Sequence, residues 1–141
     1  PWWTWSICLG KYVHIWEENE NHRIGCICNA LLWFPVFFGI LLSFLICLFQ
    51  LDFSSQKAGM LIGYILSYLP FAFINRNLCI FHYMIPLFFG IYNLILLVDY
   101  VCNEKARGFV YLMLIHFSVT GYFLWSPLAY GKRVGDINFL F

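Results

Sequence analysis

The sequence predicts an all-α integral membrane protein with four transmembrane helices. Its 141 residues are 62% hydrophobic and only 11% charged, whereas soluble globular domains carry about 25% charged residues. Asp, Glu, Lys and Arg leave four uncharged stretches, at residues 24–51, 58–75, 77–98 and 108–131. A helix needs about 20 residues to cross a hydrocarbon core of roughly 30 Å. Each stretch is therefore long enough, the second only just.

The segment before the first stretch, residues 1–23, has the composition of a membrane–water interface. It combines tryptophans, whose rings favour the headgroup region, with glutamates that stay in water. These residues are Trp2, Trp3, Trp5, Trp16, Glu17, Glu18 and Glu20. The sequence predicts a short interfacial segment here, followed by a first span at about residues 28–50.

The second and third stretches are separated by Arg76 alone. A single helix over residues 58–98 would be roughly 60 Å long and would bury this arginine at a cost of about 2.5–3.5 kcal/mol or more. Asn75 and Asn77 supply polar turn residues beside it, and Pro70 weakens the end of the preceding helix. A hairpin is therefore predicted, with spans at about residues 59–74 and 78–98.

The fourth span is predicted at about residues 109–129, after a polar loop at 99–108, and residues 132–141 form a short tail. Four spans place both termini on the same side as the Arg76 turn. That side carries five cations against three on the other, namely Lys11, Arg23, Arg76, Lys132 and Arg133 against Lys57, Lys105 and Arg107. The positive-inside rule thus weakly favours cytoplasmic termini.

Charge and cysteine content exclude two other classes of protein. Eight Lys and Arg against seven Asp and Glu leave a net charge of +1, too little for a basic nucleic-acid binder. The six cysteines do not indicate a disulfide scaffold, because Cys47 and Cys79 lie inside apolar runs. The chain begins at Pro1 without a leader pattern, which indicates part of a longer product.

Arg76 is the polar residue most suggestive of a binding site. If residues 76–93 are helical, Arg76 and Tyr83 fall on one face and His82 on another. A guanidinium beside aromatic and imidazole groups at a membrane surface could hold a lipid-linked phosphate, because it offers paired donors to phosphate oxygens. The alternative, which the spacing alone favours, is an arginine that snorkels to the interface and only closes the turn.

Few other polar groups suggest chemistry. His116 lies well inside the fourth stretch, and a neutral histidine hydrogen-bonded to a neighbouring helix is favoured over a proton relay. No metal site is expected, because one candidate set matches no common zinc spacing; it consists of His14, His22, Cys26 and Cys28. The carboxylates are scattered over termini and loops without a partner for a general base. No catalytic residue is predicted within this chain.

Four groups of residues, in order along the chain, resemble one known family. They are Trp5, Leu9-Gly10 and Trp16; Ile24 to Trp33; Leu69 to Pro86, with Arg76, Phe81, His82, Tyr83 and Pro86 as anchors; and Ser126 to Gly131. Together they are similar to the C-terminal four-span module of the protein O-mannosyltransferases. The sequence departs from the family pattern at Cys28-Asn29-Ala30, where the family has Gly-Asn-Pro, and at Ala129, where it has Thr.

The resemblance implies the C-terminal part of a GT-C type glycosyltransferase. Such an enzyme is a multi-pass protein of the endoplasmic reticulum membrane and moves mannose from dolichyl phosphate mannose to Ser or Thr of proteins in the lumen. It implies lumenal termini, against the weak cation count, and a dimer with a related transferase subunit. The lipid-linked donor is a substrate, and neither a cofactor nor nucleic acid is expected.

The resemblance also distributes the roles of residues. The family's catalytic acidic pair has no counterpart in this chain, so the isolated chain is expected to be inactive. Arg76, His82 and Tyr83 become candidates for the donor phosphate and the lipid groove.

Two functions from other classes stay open at this point. One is a non-enzymatic four-helix membrane subunit whose helices pack through small residues, such as Gly39, Gly63 and Gly90. The other is a small transporter or channel lined by polar side chains, namely His82, Asn93 and His116.

Overall fold

The computed structural model describes residue 6 and residues 13–19, 22–26, 28–49, 55–74 and 80–129. Two short strands precede four α-helices. The strands are β1, Val13–Asn19, and β2, His22–Cys26. The helices are α1, Ala30–Phe49; α2, Ser55–Tyr68; α3, Met84–Val101; and α4, Glu104–Ala129. Two 3-10 helices, Leu69–Phe73 and Ile80–Tyr83, lie between α2 and α3.

The strands pair antiparallel in a hairpin that the sequence analysis did not predict. Val13 pairs with Cys26 and Glu17 with Arg23, and the register shifts once between His14 and Trp16 and again between Glu17 and Asn19. β-branched and aromatic residues favour such a pairing, and Val13, Ile15 and Trp16 are of this kind. The strands have seven and five residues, and a search for long uncharged stretches does not detect elements this short. The interfacial segment therefore contains β-structure, and the part that follows is helical as predicted.

Three helices, α1, α3 and α4, are long and apolar enough to cross a membrane. The second predicted span consists of the 14 residues of α2 and, directly after them, the five-residue 3-10 helix. At about 1.5 and 2.0 Å per residue these two pieces add up to roughly 31 Å. This matches a hydrocarbon core of about 30 Å, and the fourth crossing stays a prediction.

The loop expected at residues 99–108 is much shorter in the structure. Only Cys102 and Asn103 separate α3 from α4, so that Asp99 and Arg107 both lie inside helices. Asn103 explains the immediate restart, because its Oδ1 accepts a hydrogen bond from the backbone N–H of Ala106 at 2.9 Å. This side chain caps the orphan donors at the start of α4.

The core forms where α3 packs against α1 and α2. Glycine allows the close approach of these helices, because a Cβ at Gly90 would lie 2.6 Å from Val36 Cγ1 and one at Gly63 would lie 2.7 Å from the ring of Phe89. Buried apolar side chains fill the interface, among them Trp33, Val36, Ile40, Leu61, Tyr64, Leu87, Leu94 and Val98. Small residues at helix crossings are typical of membrane bundles.

Two asparagines connect helices that are far apart in sequence. Asn93 of α3 is 1% exposed and donates to Ser43 Oγ of α1 at 2.8 Å. Asn29, which immediately precedes α1, donates to the backbone carbonyl of Ser118 in α4 at 2.9 Å. The Asn29 side chain occupies the place that a Cβ at Gly121 would need. One side-chain hydrogen bond therefore connects α3 to α1, and the other connects α4 to the residue that precedes α1.

Candidate functional site

The candidate site is the polar turn between α2 and α3. Pairs of residues on the two helices approach in reverse order: Lys57 Nζ lies 3.4 Å from the ring centroid of Tyr100, and the Tyr68 ring centroid lies 5.2 Å from that of Tyr83. The helices are therefore antiparallel neighbours. Ile74 has extended backbone, with φ −93° and ψ 111°, so the helical structure ends before the turn. Arg76 itself lies outside the described residues.

Tyr83 anchors the far side of this turn. It ends the second 3-10 helix and is only 1% exposed. Its ring centroid is 4.8 Å from that of Trp33 in α1 and 6.4 Å from that of Tyr64 in α2. The hydroxyls of Tyr64 and Tyr83 are 2.8 Å apart in a buried hydrogen bond. A tyrosine needs such a partner when its hydroxyl leaves water, so the pair fixes the start of α3 to α2.

Tyr68 extends the cluster toward the N-terminal segment. Its ring lies 5.5 Å from that of Tyr64 between centroids, one helical turn away. Its hydroxyl lies 3.2 Å from Ser6 Oγ, and Ser6 is buried. We call Trp33, Tyr64, Tyr68 and Tyr83 the tyrosine cluster. It joins α1, α2 and the start of α3, and its Tyr68 hydroxyl also contacts Ser6.

His82 lies beside the tyrosine cluster in a different environment. Its side chain is half-buried, and its ring meets that of Phe71 edge to face at 5.8 Å between centroids. Phe71 belongs to the 3-10 helix that follows α2. Two contacts thus join the segments that flank residues 75–79: Phe71 with His82, and Tyr68 with Tyr83.

The structure distinguishes His82 from Tyr83 by environment, whereas Arg76, the third predicted site residue, lies outside the described residues. Tyr83 is buried and its hydroxyl is bonded to Tyr64, which suits it to hold the turn; His82 retains partial exposure next to it. A role of either residue toward a donor stays a prediction. The sequence analysis missed Trp33, Tyr64 and Tyr68. The i, i+4 spacing of the two tyrosines, which puts them on one helix face, was the available signal.

A second polar cluster lies at the opposite end of the helices. Arg107 Nη1 is 3.1 Å from Asp99 Oδ1, and the Tyr111 hydroxyl donates to the same oxygen at 2.9 Å. The side chains of Arg107 and Asp99 are 34% and 41% exposed. An ion pair this exposed contributes little to stability. The cluster joins α3 to α4 and is remote from the Arg76 turn along both helices.

The other polar candidates do not form a common site. Asn93 is enclosed between α1 and α3, whereas the His116 side chain is exposed on α4. Within the described residues, Asn93 and His116 therefore do not line one common cavity. Within the part of the chain that the structure describes, no three His, Cys, Asp or Glu side chains come together as a metal site. Cys28 is disulfide-bonded, and Cys47 and Cys102 are free.

Comparison with known proteins identifies the family. The model for the C-terminal four transmembrane region of protein-O-mannosyltransferase matches residues 1–138. The chain belongs to this family. The resemblance found in the sequence is thereby confirmed. The matched residues include Arg76.

A curated relative agrees with this membership. The chain is 25% identical over 150 residues to dolichyl-phosphate-mannose–protein mannosyltransferase 1 of Saccharomyces cerevisiae. The match covers 91% of this chain and 18% of the relative, so the chain spans about a fifth of that protein's length. No solved structure matches. The chain is therefore a membrane region of a glycosyltransferase family.

Proposed function

We propose that this chain is the C-terminal membrane region of an enzyme that transfers mannose from dolichyl phosphate mannose to Ser or Thr of proteins in the endoplasmic reticulum. The observation that carries the proposal is the family match over residues 1–138. The name of the yeast relative supports the donor and the protein acceptor. Multi-pass topology with lumenal termini, and a dimer with a related subunit, belong to the same proposal.

Within that enzyme, the Arg76 turn would meet the donor. A guanidinium presents paired N–H donors that match two phosphate oxygens, and a polyprenyl phosphate places its charge at the membrane surface. His82 is half-buried beside the turn, so it can approach the same group. Tyr83 would act by position, because its hydroxyl is already bonded to Tyr64. We place the catalytic acids outside this chain and expect the isolated chain to be inactive.

The transfer reaction is tested with the full-length protein in membranes. Radiolabelled dolichyl phosphate mannose and a Ser/Thr-rich acceptor peptide are supplied, and mannose on the peptide is measured. Transfer that stops when the peptide's Ser and Thr are replaced by Ala supports the proposal. A full-length protein that binds neither substrate would overturn the proposal and leave the non-enzymatic subunit as the better description. One that moves a different sugar would overturn the assigned donor.

The role of Arg76 is tested by Arg76→Lys in the same enzyme. Losing one charge-assisted hydrogen bond costs about 1.5–3 kcal/mol, which corresponds to roughly a 10- to 100-fold lower kcat/KM for the donor. We expect the acceptor KM to stay unchanged. Arg107→Lys is the matched control, because Arg107 lies at the opposite end of the helices in its pair with Asp99. Unchanged donor kinetics in Arg76→Lys would assign this arginine to the snorkelling role.

A further inference from the structure

His116 is a polar residue at the centre of a membrane helix. It lies 12 residues after the start of α4 and 13 before its end at Ala129, which is roughly 18–20 Å from each end. Its side chain is exposed, and its Nε2 is 3.5 Å from Thr120 Oγ1 on the same helix. Across the described residues, His116 has no hydrogen-bond partner on another element.

The two faces of α4 differ in what covers them. Residues that follow one another by three or four share a helix face. One face, which includes Leu114, Ser118 and the buried Gly121, turns toward the bundle, where Asn29 meets Ser118 and Gly121. The opposite face, centred on His116, also contains Phe109, Met113, Thr120 and Phe123. We call these five residues the His116 face; its apolar members are exposed in the structure.

Lipid alone does not satisfy the His116 face. The rings of Phe109 and Phe123 can lie in hydrocarbon without cost. The neutral imidazole of His116, however, has one nitrogen that donates a hydrogen bond and one that accepts one. Thr120 can serve only one of them, at a long distance. Ionisable side chains at this depth almost always face protein or a water-filled cavity, and histidine commonly hydrogen-bonds across membrane helices.

We propose that the His116 face packs against a further transmembrane helix of the same, longer polypeptide, which carries a hydrogen-bonding side chain opposite His116. Helices α1, α2 and α3 do not cover this face, whose apolar residues are exposed, so none of them is the partner of His116. The matched region is C-terminal in its family and covers 18% of the yeast relative. The yeast relative therefore has most of its chain outside the matched region, and a C-terminal region has the remaining spans N-terminal to it. The proposal does not depend on the transfer reaction.

Photocrosslinking in the full-length protein, in its native membrane, tests this packing. A photoreactive phenylalanine analogue is placed at Met113 and, in a separate variant, at Phe123, both on the His116 face. The matched controls are Ile115 and Phe117, which are exposed on the same helix but point about 100° to either side of His116. Two probe positions guard against one variant that does not fold.

The expected result is a crosslink within one polypeptide. Yields at Met113 and Phe123 should exceed those at Ile115 and Phe117 several-fold, and the crosslinked peptides should map to a span N-terminal to this region. Crosslinks of doubled mass would instead place a second polypeptide on this face and overturn the proposal. Adducts with lipid only, or equal yields at all four positions, would also overturn it.

Discussion

Replacing either Tyr64 or Tyr83 by phenylalanine should cost more stability than replacing both. The two hydroxyls are 2.8 Å apart and buried in the tyrosine cluster. Removing one leaves the other without its partner, which costs about 1–3 kcal/mol for a buried polar group. Removing both leaves two apolar rings of nearly the same shape, which is close to neutral. The double-mutant cycle should therefore show a coupling energy of about 2–6 kcal/mol in magnitude, because the costs of both single variants disappear in the double variant.

The free energy of unfolding of the wild type, the two single variants and the double variant is measured in bicelles by steric trapping, which needs no denaturant. Tyr92→Phe is the matched control. Tyr92 lies in α3, which begins directly after Tyr83, and it is 44% exposed. Its substitution should change the free energy of unfolding by less than about 0.5 kcal/mol. If the costs of Tyr64→Phe and Tyr83→Phe simply add in the double variant, the hydroxyls do not hold the turn together, and the account of the tyrosine cluster is wrong.

Substitutions at Gly90, Asn93 and Asn103 test helix packing and helix capping by the same measurement. Gly90→Ala should lower the unfolding free energy by about 1–3 kcal/mol through overpacking, whereas Gly108→Ala, with open space around it, should not; equal effects would refute the close approach. Asn93→Leu should lower it by about 0.6 kcal/mol and no more than about 1.7, the range for hydrogen bonds between membrane helices; a larger loss would mean a second, unidentified partner. Asn103→Ala should cost about 0.5–2 kcal/mol and Asn103→Ser much less, because serine also caps a helix; equal losses would contradict the cap.

Some expectations from the sequence hold because they depend only on the charge, hydropathy and order of the residues, and not on how distant segments pack. The long uncharged stretches predict helices of membrane-spanning length, and α1, α3 and α4 have it. The isolated position of Arg76 predicts a reversal, and α2 and α3 are antiparallel neighbours. The ordered motifs predict the family, which the match over residues 1–138 confirms.

Helix ends were less predictable than helix cores. Charged residues suggested a ten-residue loop after residue 98, but Asp99 and Arg107 neutralise each other across the junction at 3.1 Å. Asn103 supplies the cap that lets α4 begin at once. A charge count takes every charged residue as the end of a helix, although such a side chain can stay in water while its backbone is helical, so it placed both helix ends too far from the junction.

The sequence by itself determined that the chain belongs in a membrane and to which family it belongs, because hydropathy and motif order are read residue by residue. Only the tertiary structure decided that Tyr83 is enclosed with its hydroxyl bonded to Tyr64, that Asn93 bonds Ser43 across 50 positions, and that the His116 side chain is exposed on α4. These facts depend on which helix faces meet, and packing geometry between distant segments, not local composition, settles that.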